Sequence, residues 1–263
     1  MNYQYIKYSI NQSIATIILN RPETLNSFNY AMAKETQHAL QNCENEEIRC
    51  VIITGEGRGF CAGQDLSELL PSENNTNPRA IKNIVEEQYN PIITQIRNLP
   101  KPVIAMVNGV AAGAGANIAL ACDFVVAANS ASFVQAFSKI GLIPDSAGTY
   151  TLPRLIGMAK ATALMFLGEK LTATEAYNLL LIYKVVNDID LDNETIALAN
   201  KLAEMPTFAL GCTKKLLNTS FDNTLEQQVK AEATFQELCG SSLDYKEGVQ
   251  AFIEKRRPKF VGK

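Results

Sequence analysis

Two stretches of small residues decide how this chain is read: Arg58-Gly-Phe-Cys-Ala-Gly-Gln-Asp-Leu66 and Asn108-Gly-Val-Ala-Ala-Gly-Ala-Gly-Ala-Asn-Ile-Ala-Leu-Ala-Cys-Asp123. Each follows a short apolar, β-branched run, Cys50 to Thr54 in the first case and Val103 to Val107 in the second. Such runs, bounded by glycines, predict buried strands. The second stretch then opens a helix through Ile118 to Cys122. Backbone N–H groups without bulky side chains, at Ala62-Gly63 and at Gly113-Ala114-Gly115, suit an anion or a carbonyl oxygen gaining negative charge. Two such donors facing one point form an oxyanion hole. Small residues also let a helix pack closely on a strand, and either site alone is explained by that.

Working outward, Tyr3 to Ser9 and Ser13 to Leu19 predict a hairpin ended by Asn20-Arg21-Pro22. A helical pattern covers Tyr30 to Asn42, with Met32, Ala39 and Leu40 on its buried side, and a second covers Arg79 to Arg97. Between them Pro71 to Pro78 is polar and proline-bounded, which predicts a surface loop. Phe124 to Ala128 predicts another strand, and from Leu152 onward the pattern is almost wholly helical apart from a short strand within Ile182 to Val186. Strands alternating with helices and then helices alone predict an α/β core over residues 1–190 and a C-terminal helical region over 191–263, with no linker between independent domains.

Composition narrows the function. The 263 residues are 47% hydrophobic and 19% charged, with 24 Lys+Arg against 27 Asp+Glu for a net charge of −3. That balance offers no extended basic surface for nucleic acid or anionic lipid. Val103 to Ala128 is apolar but broken by Asn108, Asn117 and Asp123, so it reads as core rather than a membrane span. Met1 to Ile10 lacks a charged-then-apolar signal pattern, and a cytoplasmic location is expected. The six cysteines have no C-x-x-C spacing and His38 is the single histidine, so no metal site is expected and the thiols read as small apolar residues. His38 reads as a surface helix residue with no partner to orient it. A dinucleotide loop would need glycine where Ile118 stands, no phosphate loop or serine nucleophile elbow is present, and no Ser/His or Cys/His couple can form.

Together with Leu19-Asn-Arg-Pro22, Gly141 to Leu155 and Glu247 to Arg256, the two stretches resemble the crotonase, or enoyl-CoA hydratase/isomerase, superfamily over nearly the whole chain. The resemblance implies a spiral of ββα turns followed by helices that assemble a trimer or a dimer of trimers. It also implies an acyl-CoA thioester substrate and no cofactor beyond the coenzyme A that the substrate carries. Its two oxyanion donors fall on the N–H groups of Ala62 and Ala114. CoA-contact positions fall on Glu23 and Leu25, on Phe60, Gln64, Asp65 and Leu66, and on Phe252 and Lys255. The last pair sits in a basic end with Arg256, Arg257, Lys259 and Lys263, which either meets CoA phosphates or complements its own helix dipole.

Hydratases of the superfamily use two glutamates, at positions that here hold Asn117 and Phe137. Without a carboxylate to activate water, standard hydration is not expected. Asp145, after Pro144, stands where other members place an acid. One carboxylate beside a polarised thioester can take a proton and return it elsewhere, shifting a double bond. Asp145 would also serve as a helix N-cap. Phe137 either lines a dry acyl pocket or packs in the core. The combined motifs look most like the phenylacetate-pathway branch, which isomerises ring-1,2-epoxyphenylacetyl-CoA to its oxepin and 3-enoyl- to 2-enoyl-CoA, with Ser146-Ala147 as a departure. The competing readings are a hydratase with an unusual water route and a catalytically idle acyl-CoA or partner-binding protein.

Overall fold

The computed structural model describes residues 3–69 and 79–263, so the Pro71 to Pro78 segment lies outside the described residues. Strands β1 (Ile6–Asn11) and β2 (Ile14–Leu19) form the antiparallel hairpin, turning at Gln12 with φ 54°. Helix α1 (Tyr30–Asn42) starts where Asn29 accepts the Met32 N–H on its side chain, and Met32, Ala39 and Leu40 are buried as their spacing predicts.

Strands β3 (Cys50–Gly55), β5 (Val103–Val107) and β7 (Phe124–Ala128) are each followed by a three-residue strand: β4 (Gly59–Cys61), β6 (Val110–Ala112) and β8 (Ser132–Val134). Helices α2 (Ile81–Ile84) and α3 (Asn90–Asn98) fall between β4 and β5, and α4 (Ala114–Ala121) between β6 and β7. The longer strands join a six-stranded sheet and the short ones a second sheet, so each pass of the chain makes one turn of a spiral. After α5 (Gly148–Leu167) come β9 (Lys170–Thr172), α6 (Ala173–Asn178), β10 (Lys184–Val186) and the helices α7 (Leu191–Ala203), α8 (Thr207–Thr219), α9 (Leu225–Gly240) and α10 (Leu243–Ile253). The sheet orders are β1-β2-β3-β5-β7-β10 and β4-β6-β8-β9.

Apolar runs make the first sheet central: every residue of β3 is buried, as both faces of a mostly parallel sheet require. Helix α7 covers β2, β3, β5 and β7, and Leu191, Ala199 and Leu202 join the same core as the strands. Two buried lysines close helix ends against this core. Lys214 of α8 donates to Asp123 Oδ2 at 2.8 Å and to the Ile96 carbonyl at 2.7 Å, and Lys101 donates to the carbonyls of Cys43 and Asn45 after α1. All six cysteines are free, and burial pushes the thiols of Cys50, Cys61 and Cys122 up to about 12, which leaves them inert apolar groups.

The differences from sequence expectation are local. The helix expected over Arg79 to Arg97 is split by a π-helical turn, Val85–Tyr89, which inserts extra backbone between α2 and α3. Strands β4, β6, β8 and β9 are too short to show a period of two, and β9 interrupts the otherwise helical run after Leu152 by pairing antiparallel with β8.

Candidate active site

The two small-residue loops meet. Gly63 has φ +90°, and a Cβ placed on it would lie 2.9 Å from the Ala112 carbonyl oxygen and 3.4 Å from the Ala114 nitrogen. Gly115 is packed so tightly that a Cβ there would come within 2.3 Å of the Cys61 carbonyl oxygen. Glycine at both positions lets the loop after β4 and the start of α4 approach backbone to backbone. Ala114 opens α4 after Gly113, at φ 53° and ψ −126°, and its N–H has no acceptor among the described residues.

The N–H expected to be open at Ala62 is not free. It is spent on the Leu25 carbonyl at 2.9 Å, because Leu25 and Asn26 take left-handed conformations that turn that oxygen inward. Asn26, fully buried, holds this turn by donating to the carbonyls of Glu56 and Gly59 and accepting the Arg21 N–H. Beyond Gly63 the amide of Gln64 has no acceptor among the described residues, so Gln64 and Ala114 are the pair of open N–H groups. The Gln64 side chain is anchored as well: Tyr89, in the π-helical turn, donates to its Oε1 at 2.7 Å. No sequence signal marked Tyr89, which reads as one more aromatic on a helix face.

Asp145 sits beside this pair. The Asn117 amide, one turn along α4 from Ala114, donates to the Asp145 carbonyl at 2.8 Å, and the Asp145 charge acts on Tyr89. The carboxyl is not a helix cap, since α5 begins at Gly148 with no side-chain cap. Its Oδ1 accepts the Ser146 hydroxyl at 2.8 Å, while Oδ2 has no partner among the described residues. Burial pushes the carboxyl above its usual range and the Ser146 bond opposes this.

The remaining expected positions divide. Phe137 is buried with its ring over Gly113, 3.7 Å from where a Cβ there would sit, so it walls the donor loop. Pro144 is half-buried in the same turn as Asp145. Asn117, which the resemblance would put among the substrate contacts, faces Asp145 and Gln135 rather than open space. Phe60 is 0% exposed and belongs to the core, so its side chain cannot meet CoA. Asp65 is likewise committed: burial works against its charge, yet bonds from Ser67 and Arg21 hold its carboxyl below the usual range and clamp the loop. Glu23, Leu66, Phe252 and Lys255 are exposed, and Leu25 is half-buried with its carbonyl on Ala62. Phe252, 85% exposed, lines a surface cavity of about 1010 Å³ between α8, α9 and α10, apart from the donor loops. Of the basic end, Arg256 is paired with Glu247 and Glu254 and Lys263 with Glu46, all within the chain. His38 is half-buried and has a partner after all, the Tyr3 hydroxyl at 2.7 Å.

Two open amides near one half-buried carboxylate, on a spiral of paired strands, make an arrangement suited to carbonyl-polarising chemistry. The chain belongs to the enoyl-CoA hydratase/isomerase family, whose sequence model matches residues 9–263. It is 47% identical over 261 residues, 99% of both chains, to the 1,2-epoxyphenylacetyl-CoA isomerase of Escherichia coli K12. It is 44% identical over 263 residues, 100% of both chains, to a Rhodobacter capsulatus protein described as a probable enoyl-CoA hydratase. The crystal structure of enoyl-CoA hydratase from Bacillus anthracis superposes with a TM-score of 0.91 at 33% identity, covering 99% of this chain and 100% of that one. Among the described residues no helix is long and apolar enough to cross a membrane, and no three His, Cys, Asp or Glu side chains are grouped to hold a metal ion.

Proposed function

We propose that this protein is an acyl-CoA isomerase that moves a double bond through an enolate, with Asp145 carrying the proton and the N–H groups of Gln64 and Ala114 holding the thioester oxygen. The observation that carries this is the Asp145 carboxylate, with an oxygen that has no partner among the described residues, beside two amides that are likewise open. With a 3-enoyl-CoA, Asp145 takes a proton from C2 and the electron pair spreads to the thioester oxygen. The carboxylic acid then gives the proton to C4, and the double bond ends between C2 and C3 with no atom gained or lost. A raised carboxyl value suits this exchange, because it brings the base closer to the carbon acid it must deprotonate. In a ring epoxide of phenylacetyl-CoA the methylene between ring and thioester carries the same acidified proton, and its removal starts rearrangement to the oxepin. The 47% identical isomerase supports that substrate. Asn117 and Phe137 supply no carboxylate for activating water, so hydration is disfavoured. Coenzyme A enters as part of the substrate and the chemistry needs no other cofactor. A cytoplasmic protein fits this role.

Incubating a 3-enoyl-CoA with the protein in heavy water is expected to give the 2-enoyl-CoA with deuterium only in place of hydrogen. A product heavier by a whole molecule of heavy water would show hydration and overturn the assignment.

The protein works as a trimer or a dimer of trimers in this reading. Large apolar side chains stand exposed along the C-terminal half, among them Phe166, Phe221, Leu225 and Phe252, more than an isolated chain normally leaves in water. Lys255 and Arg257 have no ion-pair partner among the described residues, which leaves them available to CoA phosphates across such an interface. Sedimentation equilibrium is expected to return the mass of three or six chains; a monomer at assay concentration would remove this part of the proposal.

A further inference from the structure

Asn117 and Gln135 form a buried pair of amides that ends on the turn carrying Asp145. The Asp145 carbonyl oxygen can only accept, so Asn117 meets it with Nδ2, at 2.8 Å. That directs Asn117 Oδ1 toward Gln135, which meets it with Nε2, also at 2.8 Å. One acceptor therefore sets the orientation of both amides. Asn117 is 2% and Gln135 5% exposed, and the Gln135 Oε1 is left buried without a partner. Burying an unpaired amide oxygen works against folding, and an apolar residue of similar size would fill the place without that penalty. Gln135 is therefore better explained by what its Nε2 holds than by packing.

What it holds is a strained turn. Ser146 and Ala147 follow Asp145 at φ 50° and 60°, a conformation that residues with a Cβ seldom adopt. The Asp145 carbonyl is the point where this turn is tied down, accepting the Gly148 N–H at 2.8 Å as well as the Asn117 amide. Gly148 itself lies against Asn117, since a Cβ there would come within 2.5 Å of Nδ2. Because Asn117 stands one turn from Ala114 on α4, the same bond sets the spacing between the base and an oxyanion donor.

We propose that Asn117 and Gln135 are positioning residues for Asp145: their relay holds the Asp145 carbonyl and the left-handed turn beyond it, which aims the carboxyl at the acyl chain. The proposal rests on the reading of Asp145 as proton carrier. It also accounts for the amide standing where hydratases of the family place a glutamate, as a part that orients the base instead of a part that handles water.

The test uses the full chain with a 3-enoyl-CoA and the variants Asn117→Asp, Gln135→Met and Asp145→Asn. In N117D an ionised carboxylate presents oxygen to the Asp145 carbonyl, whereas a protonated carboxyl donates as asparagine does. N117D is therefore expected to lose about 10–100-fold in kcat at alkaline pH with little change in KM, and to recover as pH falls. The wild type is expected to show no such recovery on its acid side. Q135M is expected to lose about 3–10-fold in kcat with no loss of thermal stability. Wild-type kcat and pH profile in either folded variant overturns the relay; if N117D does not fold, Q135M decides alone. An active D145N would instead overturn the reading beneath it, whereas an inactive D145N beside wild-type N117D and Q135M would sink the relay only.

Discussion

Asparagine at position 145 is expected to cost about 10²–10⁴-fold in kcat while leaving KM for the CoA ester near its wild-type value, since a positioned proton carrier contributes that much. The substitution keeps the shape of the side chain and an oxygen for the Ser146 hydroxyl, so only the ability to take a proton is lost. Stability should move the other way. Burial raises the Asp145 carboxyl above its unfolded value, so the native state binds that proton more tightly than the unfolded state. Stability therefore falls as pH rises from the unfolded value through the raised folded one, and stays lower beyond it. At neutral pH D145N removes a half-buried, desolvated charge and is expected to melt no earlier than the wild type. The wild-type rate, which needs the ionised form, is expected to fall away on the acid side at a pH above the usual carboxylate range. A pH–rate profile and a thermal melt check both signs, and a D145N that turns over at the wild-type rate would take Asp145 out of the mechanism.

Gly63→Ala is expected to have the next largest effect, lowering kcat by about 10²–10³-fold, the usual consequence of losing one oxyanion donor. The backbone at φ +90° strains any residue with a Cβ, and the added carbon would press on the Ala112 carbonyl at 2.9 Å and the Ala114 nitrogen at 3.4 Å. Relief must come by moving one of the two loops, and either movement separates the Gln64 and Ala114 amides. Comparing kcat with the affinity for free coenzyme A separates this from general damage, since coenzyme A has no thioester oxygen to hold. Unchanged kcat in a folded G63A would mean that these amides are not the donors.

The pattern of long strands and helices was legible because it rests on runs of like residues. Cys50 to Thr54, Val103 to Val107 and the Tyr30 to Asn42 helix form where their spacing places them. The second sheet was not, because three residues carry no period and each short strand exists through its neighbours. The site divides in the same way. Asp145, Ala114 and the small-residue loops were readable as residues and motifs. Which amide of the first loop stays open was not, since it depends on which one the Leu25 carbonyl has already taken. Tyr89 and Gln135 were missed for a related reason: their sequence neighbours say nothing about Gln64 or Asn117, which they meet only after the chain has wound back.

By itself, then, the sequence pointed to the class of fold, the family and Asp145 as the acid proposed for proton transfer, because these follow from local periodicity, from motif order and from which side chains can carry a proton. The tertiary structure alone decided which N–H groups stay open, that Asn117 serves the Asp145 turn, and that Phe60 and Asp65 belong to the scaffold. Whether a hydrogen-bonding group is free or spent depends on partners distant in the chain, and only the folded arrangement sets those pairings.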